Sequence, residues 1–334
     1  MVEQRIPPTS RSDGRGRPSV LLVPAAPEGV VVGVDLGHAH VAVAVARTSG
    51  TILAEQRHSF DAERDPLGAV DMATDLVKRM LADARLSVPQ VVDMAISIPG
   101  PVDLNSRLAR RSSLPAWGAL DMQQELAKRL GRPLLIGHDT EMGAMGELRY
   151  GAGRGLGDFI YVKASQGIGA GLVLNGRTYR GAAGIAGEIG HIQLPGATSW
   201  CRCGNRGCLE SVISVEHVYR QLAQTDIGSA SGDPRMSLAS LCQNPIAARV
   251  ITETGRVLGR VLADLCNCLN PAALILGGEL GTAGAPLVSG VRESVHRYAT
   301  FPTAHSVDIR TAELGLRSEL MGAISEAIDS ATRV

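Results

Sequence analysis

The chain has 334 residues, 45% of them hydrophobic, which suits two domains of ordinary size with real cores to bury. Lys+Arg and Asp+Glu each number 33, so no positive excess exists to hold nucleic acid by bulk charge, and no apolar run reaches membrane-spanning length. With no signal peptide at its start, and with three of its six cysteines clustered, the composition points to a cytoplasmic protein that binds metal rather than one built on disulfides.

Residues 1–28 hold Pro7, Pro8, Pro18, Pro24 and Pro27 and the basic run Arg15-Gly16-Arg17, with little periodicity, and read as a flexible tail or linker. Val30-Val31-Val32-Gly33-Val34-Asp35 predicts a buried strand. A second follows through Gly37 at Val41-Ala42-Val43-Ala44-Val45, and a third over 51–55 after Ser49-Gly50. A helix is predicted over about 66–84, with Leu67, Val70, Ala73, Leu76, Val77 and Met80 on one face. A strand over 91–98 ends at Pro99-Gly100-Pro101. A helix over 122–130, a strand over 134–137 and a helix over about 140–150 follow.

The pattern then restarts. A strand over 159–164 leads through the glycine-rich turn Gln166-Gly167-Ile168-Gly169-Ala170-Gly171 to a return strand over 172–174, and Asn175-Gly176 turns into Arg177-Thr178-Tyr179. A further apolar strand, Ala272-Ala273-Leu274-Ile275-Leu276, ends at Gly277-Gly278. Two similar α/β halves, 29–138 and 139–334, facing a central cleft would suit a ligand site between domains. Cys242, Cys266 and Cys268 lie in apolar, helical-looking context and read as buried structural thiols.

The most specific stretch is Cys201-Arg202-Cys203-Gly204-Asn205-Arg206-Gly207-Cys208-Leu209-Glu210, shortly after Gly187-Glu188-Ile189-Gly190-His191. Glycines at 204 and 207 allow the tight turn that lets Cys201, Cys203 and Cys208 converge on one tetrahedral ion. His191 is the expected fourth ligand of a structural zinc. Glu188 and Glu210 flank the cluster and would be held in place by it.

These pieces, in this order, resemble the ROK family of sugar-responsive repressors and sugar kinases. The matching segments are Gly33-Val34-Asp35-Leu36-Gly37, Ile98-Pro99-Gly100-Pro101-Val102-Asp103, His138-Asp139, Gly167-Ile168-Gly169-Ala170-Gly171, the two motifs around the cysteines, and Leu269-Asn270-Pro271 through Gly277-Gly278, spanning residues 30 to about 325. The resemblance implies an α/β fold of actin-like, hexokinase type (ribonuclease H-like), duplicated around a central cleft, with a structural zinc and a sugar pocket. It further implies sugar contacts at Gly100, His138, Asp139, Glu188, His191 and Glu210, with Asp139 as general base in a kinase. The nucleotide side would fall on Asp35, Gly37, Gly167, Gly169, Gly277 and Gly278, with ATP and Mg²⁺ as cofactors only if the protein is a kinase.

Several positions depart from the kinase pattern. His138 stands where asparagine is usual. His38 follows Gly37 where glycine and threonine are usual, Gln166 replaces the threonine of the second loop, and Ser113 replaces an asparagine of the sugar side. Losing hydroxyl donors from both loops should weaken ATP binding by a few kcal/mol, at about 0.5–3 per hydrogen bond. The segment Gly14-Arg15-Gly16-Arg17-Pro18 resembles the linker that precedes the sugar-sensing part of family repressors, with too few residues before it for three helices. The expectation is a sugar-binding, regulator-type protein, homodimeric or homotetrameric, with no direct nucleic-acid binding from this chain alone. The alternative is an ATP-dependent hexose or N-acyl-hexosamine kinase.

Overall fold

Seven successive buried positions make β3 (Val30–Leu36) the spine of the first half, because apolar cover reaches it from both faces. The computed structural model describes residues 2–5, 21–24, 29–102, 117, 120–227 and 237–332. Val30, Val32, Val34 and Leu36 pack toward helix α1 (Pro66–Asp83), while Val31 packs with Leu320, Ala323 and Ile324 of the C-terminal helix Ser318–Thr332. Gly33 belongs to this second contact: a Cβ there would lie 2.9 Å from the Ile324 side chain.

Around β3 the strands β4 (His40–Arg47), β5 (Ile52–Ser59), β6 (Val91–Ile98) and β7 (Leu135–His138) form a sheet in the order β5-β4-β3-β6-β7. The second half repeats it. β8 (Phe159–Ala164), β9 (Ile168–Leu174), β10 (Arg177–Tyr179), β11 (Ala273–Gly277) and β12 (Asp308–Thr311) lie in the order β10-β9-β8-β11-β12. In both sheets the first three strands are antiparallel and the last two are parallel additions. Two mixed sheets, each led by a hairpin, are therefore present, and β3 and β8 hold equivalent places in them.

Four local expectations change. Leu67 faces solvent, and the inner face of α1 is carried by Ala69, Val70, Ala73, Leu76, Val77 and Met80 behind an Asp65 cap and Pro66. The run Ile168–Gly171 is strand rather than turn. Helix α2 (Met122–Leu130) leads into β7, and helix α3 (Asp139–Tyr150) packs so closely over the run 168–171 that a Cβ at Gly171 would sit 2.2 Å from the Thr140 carbonyl oxygen. Cys266 is buried, but Cys268 is exposed. Near the N-terminus, where composition predicted a linker, β1 (Val2–Arg5) pairs antiparallel with β2 (Leu21–Pro24). Leu21, Leu22 and Val23 are strand formers that an average over 28 residues conceals.

The C-terminal helix counts with the second half by chain order, yet it packs on the first sheet and on α3. Its crossing with α3 is a backbone contact: a Cβ on Gly322 would fall 1.8 Å from the Met142 carbonyl oxygen, and one on Gly146 would fall 2.2 Å from that of Ser318. Glu147, fully buried on α3, accepts from the Ser318 hydroxyl and from the N–H groups of Ala152, Glu313 and Leu314, which satisfies its charge. Among the described residues, no helix is long and apolar enough to cross a membrane.

Candidate functional site

All six residues predicted to contact a sugar line one cavity between the halves: Gly100, His138, Asp139, Glu188, His191 and Glu210. Gly100 turns out of β6 with φ +96°, which a side chain would strain. His138 ends β7, and Asp139 is the first residue of α3. Helix capping, the ordinary role for an aspartate here, is not what Asp139 does: the N-cap position is His138, with no side-chain cap bond. The cavity encloses about 40 Å³, room for a few waters at roughly 10–15 Å³ each. Asp103 and Ser113, predicted on the sugar side, lie outside the described residues.

The Asp139 carboxylate is held from two sides. Lys163 Nζ donates to Oδ2 at 2.7 Å, and His138 Nε2 lies 3.2 Å from Oδ1. Burial alone would raise the Asp139 carboxyl. The Lys163 ammonium, with His138 beside it, outweighs burial and holds the group below the ordinary carboxylate range. Lys163 also lies 3.8 Å from Glu319, whose Oε1 accepts a 2.8 Å bond from the Tyr161 hydroxyl. Burial pushes Glu319 up to about 7; Lys163 opposes that shift, and Asp35 and Asp139 add to it. Lysine itself is disfavoured by burial, but the surrounding carboxylates raise its affinity for the proton.

On the other side of the cleft, Asp35 is fully buried at the end of β3 and accepts a 2.7 Å bond from His40 Nε2, with Arg57 3.8 Å away. Burial holds the His40 ring neutral, so its N–H is the donor. Gly37, predicted for close nucleotide approach, is overhung by the His40 ring. Gly277 packs against the Tyr161 ring. Gly278, at φ +72°, lies against the backbone of Ala164. Gly167 and Gly169 line the cavity already described, and Gly169 abuts Thr140. A neighbouring cavity of about 380 Å³ is lined by His38, Arg57, Lys163, Gln166, Glu279 and Leu316, among others. His38 and Lys163 stand at the junction of the two.

The ligand atoms of His191, Cys201, Cys203 and Cys208 lie within 4.8 Å of one another. His191 Nδ1 is 3.6 Å from Cys201 Sγ, and Cys203 Sγ is 3.7 Å from Cys208 Sγ. Metal–sulfur and metal–nitrogen bonds of about 2.3 and 2.0–2.1 Å at tetrahedral angles require separations of about 3.6 and 3.8 Å, so the donor set fits a tetrahedral ion. The other ring nitrogen of His191, Nε2, faces Glu188 Oε2 across 3.8 Å, too far for a direct hydrogen bond. Glu210 accepts from the Ile168 N–H at 3.2 Å and pairs with Arg202 Nε at 3.3 Å.

Lys163, Glu319, Arg202 and Glu63 were not singled out from the sequence. Lys163 sits inside an apolar strand run, and a lone charge among FIYV-A is the one signal that marks it. Arg202 lies inside the cysteine motif, where the thiols drew the attention, while Glu63 and Glu319 arrive from distant elements and carry no local signature.

Comparisons with known proteins identify the family and the fold. A profile described as the ROK family matches residues 31–329. The xylose repressor of Bacillus spizizenii is 27% identical over 315 residues, covering 94% of this chain and 81% of its own. A glucokinase of Halalkalibacterium halodurans is 27% identical over 307 residues, covering 87% and 92%. A solved ROK glucokinase from Streptomyces griseus, in complex with glucose and AMPPNP, superposes with a TM-score of 0.74 at 25% identity, covering 90% of this chain and all of that one.

Proposed function

This chain belongs to the ROK family, and from that premise we propose that it is a sugar-binding protein of the transcriptional-regulator type, an effector-sensing module with weak or no kinase activity. The observation that carries the reading is a contrast between the two sides of the cleft. Every predicted sugar contact faces one cavity, which Gly167 and Gly169 also line, whereas Gly37, Gly277 and Gly278 meet side chains or backbone of their own fold. Phosphoryl transfer needs a cradle for the phosphates, and these last glycines give their small size to packing.

In this reading Asp139, Glu188 and Glu210 accept hydrogen bonds from vicinal hydroxyls, strengthened by their charge. The gap between His191 Nε2 and Glu188 is one that a hydroxyl bonded to both would span. A zinc ion held by His191, Cys201, Cys203 and Cys208 would fix the imidazole with Nδ1 on the metal and Nε2 toward the sugar. In this reading a pyranose enters as the halves part and is held as they reclose. That is the movement by which an effector alters a homodimer or homotetramer.

The second reading, an ATP-dependent hexose kinase with Asp139 as base, is favoured by the glucokinase relatives and by the carboxylate's place on the cavity wall. Calorimetric titration with D-xylose and D-glucose, paired with a coupled ADP-release assay in Mg·ATP, separates the two. Saturable sugar binding without turnover supports the regulator. Turnover on the order of 10 per second that disappears in Asp139→Asn overturns it.

A further inference from the structure

We propose that Lys163 is a built-in cation that holds Asp139 as a fixed, ionised hydrogen-bond acceptor and so withdraws it from proton transfer. The proposal rests on the sugar-binding reading and assigns Lys163 as a positioning residue of that same site.

A general base must take a proton from the attacking hydroxyl, and it works best when its affinity for protons is matched to the working pH. Here Oδ2 of Asp139 is already engaged by an ammonium at 2.7 Å, and both side chains are about nine-tenths buried. Protonating the carboxylate would strand a buried lysine charge, whereas accepting a hydrogen bond leaves the pair intact. A carboxylate has about four lone-pair directions, so the Lys163 and His138 contacts still leave room for a sugar hydroxyl to donate. The site can therefore bind a hydroxyl without deprotonating it.

The origin of the pair lies in the repeat. β3 and β8 are equivalent strands, and each carries one buried charge near its C-terminal end, Asp35 on the first and Lys163 on the second. The cleft brings them into electrostatic contact. Lys163 thus serves three carboxylates, Asp139 at 2.7 Å, Glu319 at 3.8 Å and Asp35 further off. The other groups facing this cluster are His138 from β7, His38 from the β3–β4 turn, His40 from β4 and Arg57 from β5. None of these makes a comparable bond to Asp139 Oδ2 among the described residues.

The sign of the coupling makes it testable without any sugar. With Lys163 present, the depressed Asp139 carboxyl stabilises the fold above its unfolded value and ceases to do so only as pH falls through the lower folded value. Without Lys163, burial reverses the shift, and the fold loses stability as pH rises.

Thermal melts of the full chain from pH 4.5 to 8 should show the gap between wild type and Lys163→Met widening toward pH 8. In the Asp139→Asn background more than half of that widening should disappear, and Lys163→Arg should restore the wild-type profile. An equal widening in both backgrounds would mean that Lys163 acts on Glu319 or Asp35, and the proposal fails. Should Lys163→Met not fold, wild type labelled with ¹³C at the Asp side-chain carboxyl, assigned with Asp139→Asn, decides the matter. An Asp139 signal flat from pH 8 to 5 supports the proposal, and a titration between pH 5 and 7 overturns it.

D-Glucose and D-xylose binding forms the last arm. Wild-type affinity should be flat from pH 8 to 6, and that of Lys163→Met should fall about tenfold. If wild type binds neither sugar, the functional reading is wrong, while the melts and the carboxyl signal still decide the role of Lys163.

Discussion

Glu63 and Arg202 stand 139 residues apart in the chain and 3.3 Å apart in the structure. Glu63 follows β5 of the first half and also meets His38 Nδ1 at 3.3 Å; Arg202 belongs to the cysteine loop of the second half and also holds Glu210. The chain His38–Glu63–Arg202–Glu210 therefore bridges the two halves at the cavity wall.

Because both ends of the Glu63–Arg202 pair are partly exposed, Glu63→Ala, which leaves the Arg202 contact with the buried Glu210 in place, should cost at most about 1 kcal/mol of stability. The loss should shrink in high salt, as screening predicts. Sugar association should be faster than in wild type, since the bridge no longer has to open. Urea melts at two salt concentrations and stopped-flow fluorescence check this. Trp200, stacked by Arg206 at 3.9 Å in the same loop, supplies the signal.

Metal removal should separate the site from the fold. Cys208 is fully buried while Cys203 is exposed, so a chelator has access from one side. Elemental analysis of purified protein should find about one zinc per chain. After chelation, far-ultraviolet circular dichroism should persist while sugar titration heat vanishes, because His191 loses its orientation. Retained affinity in metal-free, folded protein would break the link between ion and sugar.

Glu319 sets a pH signature of the opposite sign to that of Asp139. Its folded value, raised to about 7 from an ordinary 4.5, means the folded state holds the proton more tightly. Its contribution is therefore fully present below the unfolded value and declines as pH rises toward 7. Glu319→Gln should gain on wild type between pH 5 and 7 and run parallel above, whatever its absolute stability. Paired melts across that interval read the slope.

The glycines can be sorted by substitution. Gly322→Ala and Gly171→Ala drive a methyl group into backbone at 1.8 and 2.2 Å, and each should cost about 3 kcal/mol or more. Gly167→Ala meets its first neighbours, His38 and Glu210, at 3.5 and 3.6 Å, so it should leave stability nearly unchanged and weaken sugar binding. Chemical denaturation with calorimetry on the same samples distinguishes the two outcomes.

Much of this was legible in the chain itself. The β-branched runs at 30–36, 41–45 and 159–164 are strands because their alternating sides meet apolar cover. The spacing of Cys201, Cys203 and Cys208 brought three thiols together with His191. Of the six candidate residues that converge on one cavity, Gly100, His138 and Asp139 come from the ends of strands, and Glu188, His191 and Glu210 from the segments that flank the cysteines. The run Ile168–Gly171 reads as a turn for a reason: the sequence shows small residues but not what presses against them, which here is Thr140 of α3.

What the sequence by itself determined are the features set by short-range covalent spacing: the repeat of strands and helices, the four-donor cluster, and the order of the motifs. Tertiary structure alone decided which charges became partners. Lys163 reaches Asp139 and Glu319 across 24 and 156 residues, and the Ser318–Thr332 helix closes on the first sheet rather than the second. Electrostatic pairing depends on distance and burial, which chain order does not encode. An aspartate in the position of a base is therefore turned into a fixed acceptor by a neighbour that only folding supplies.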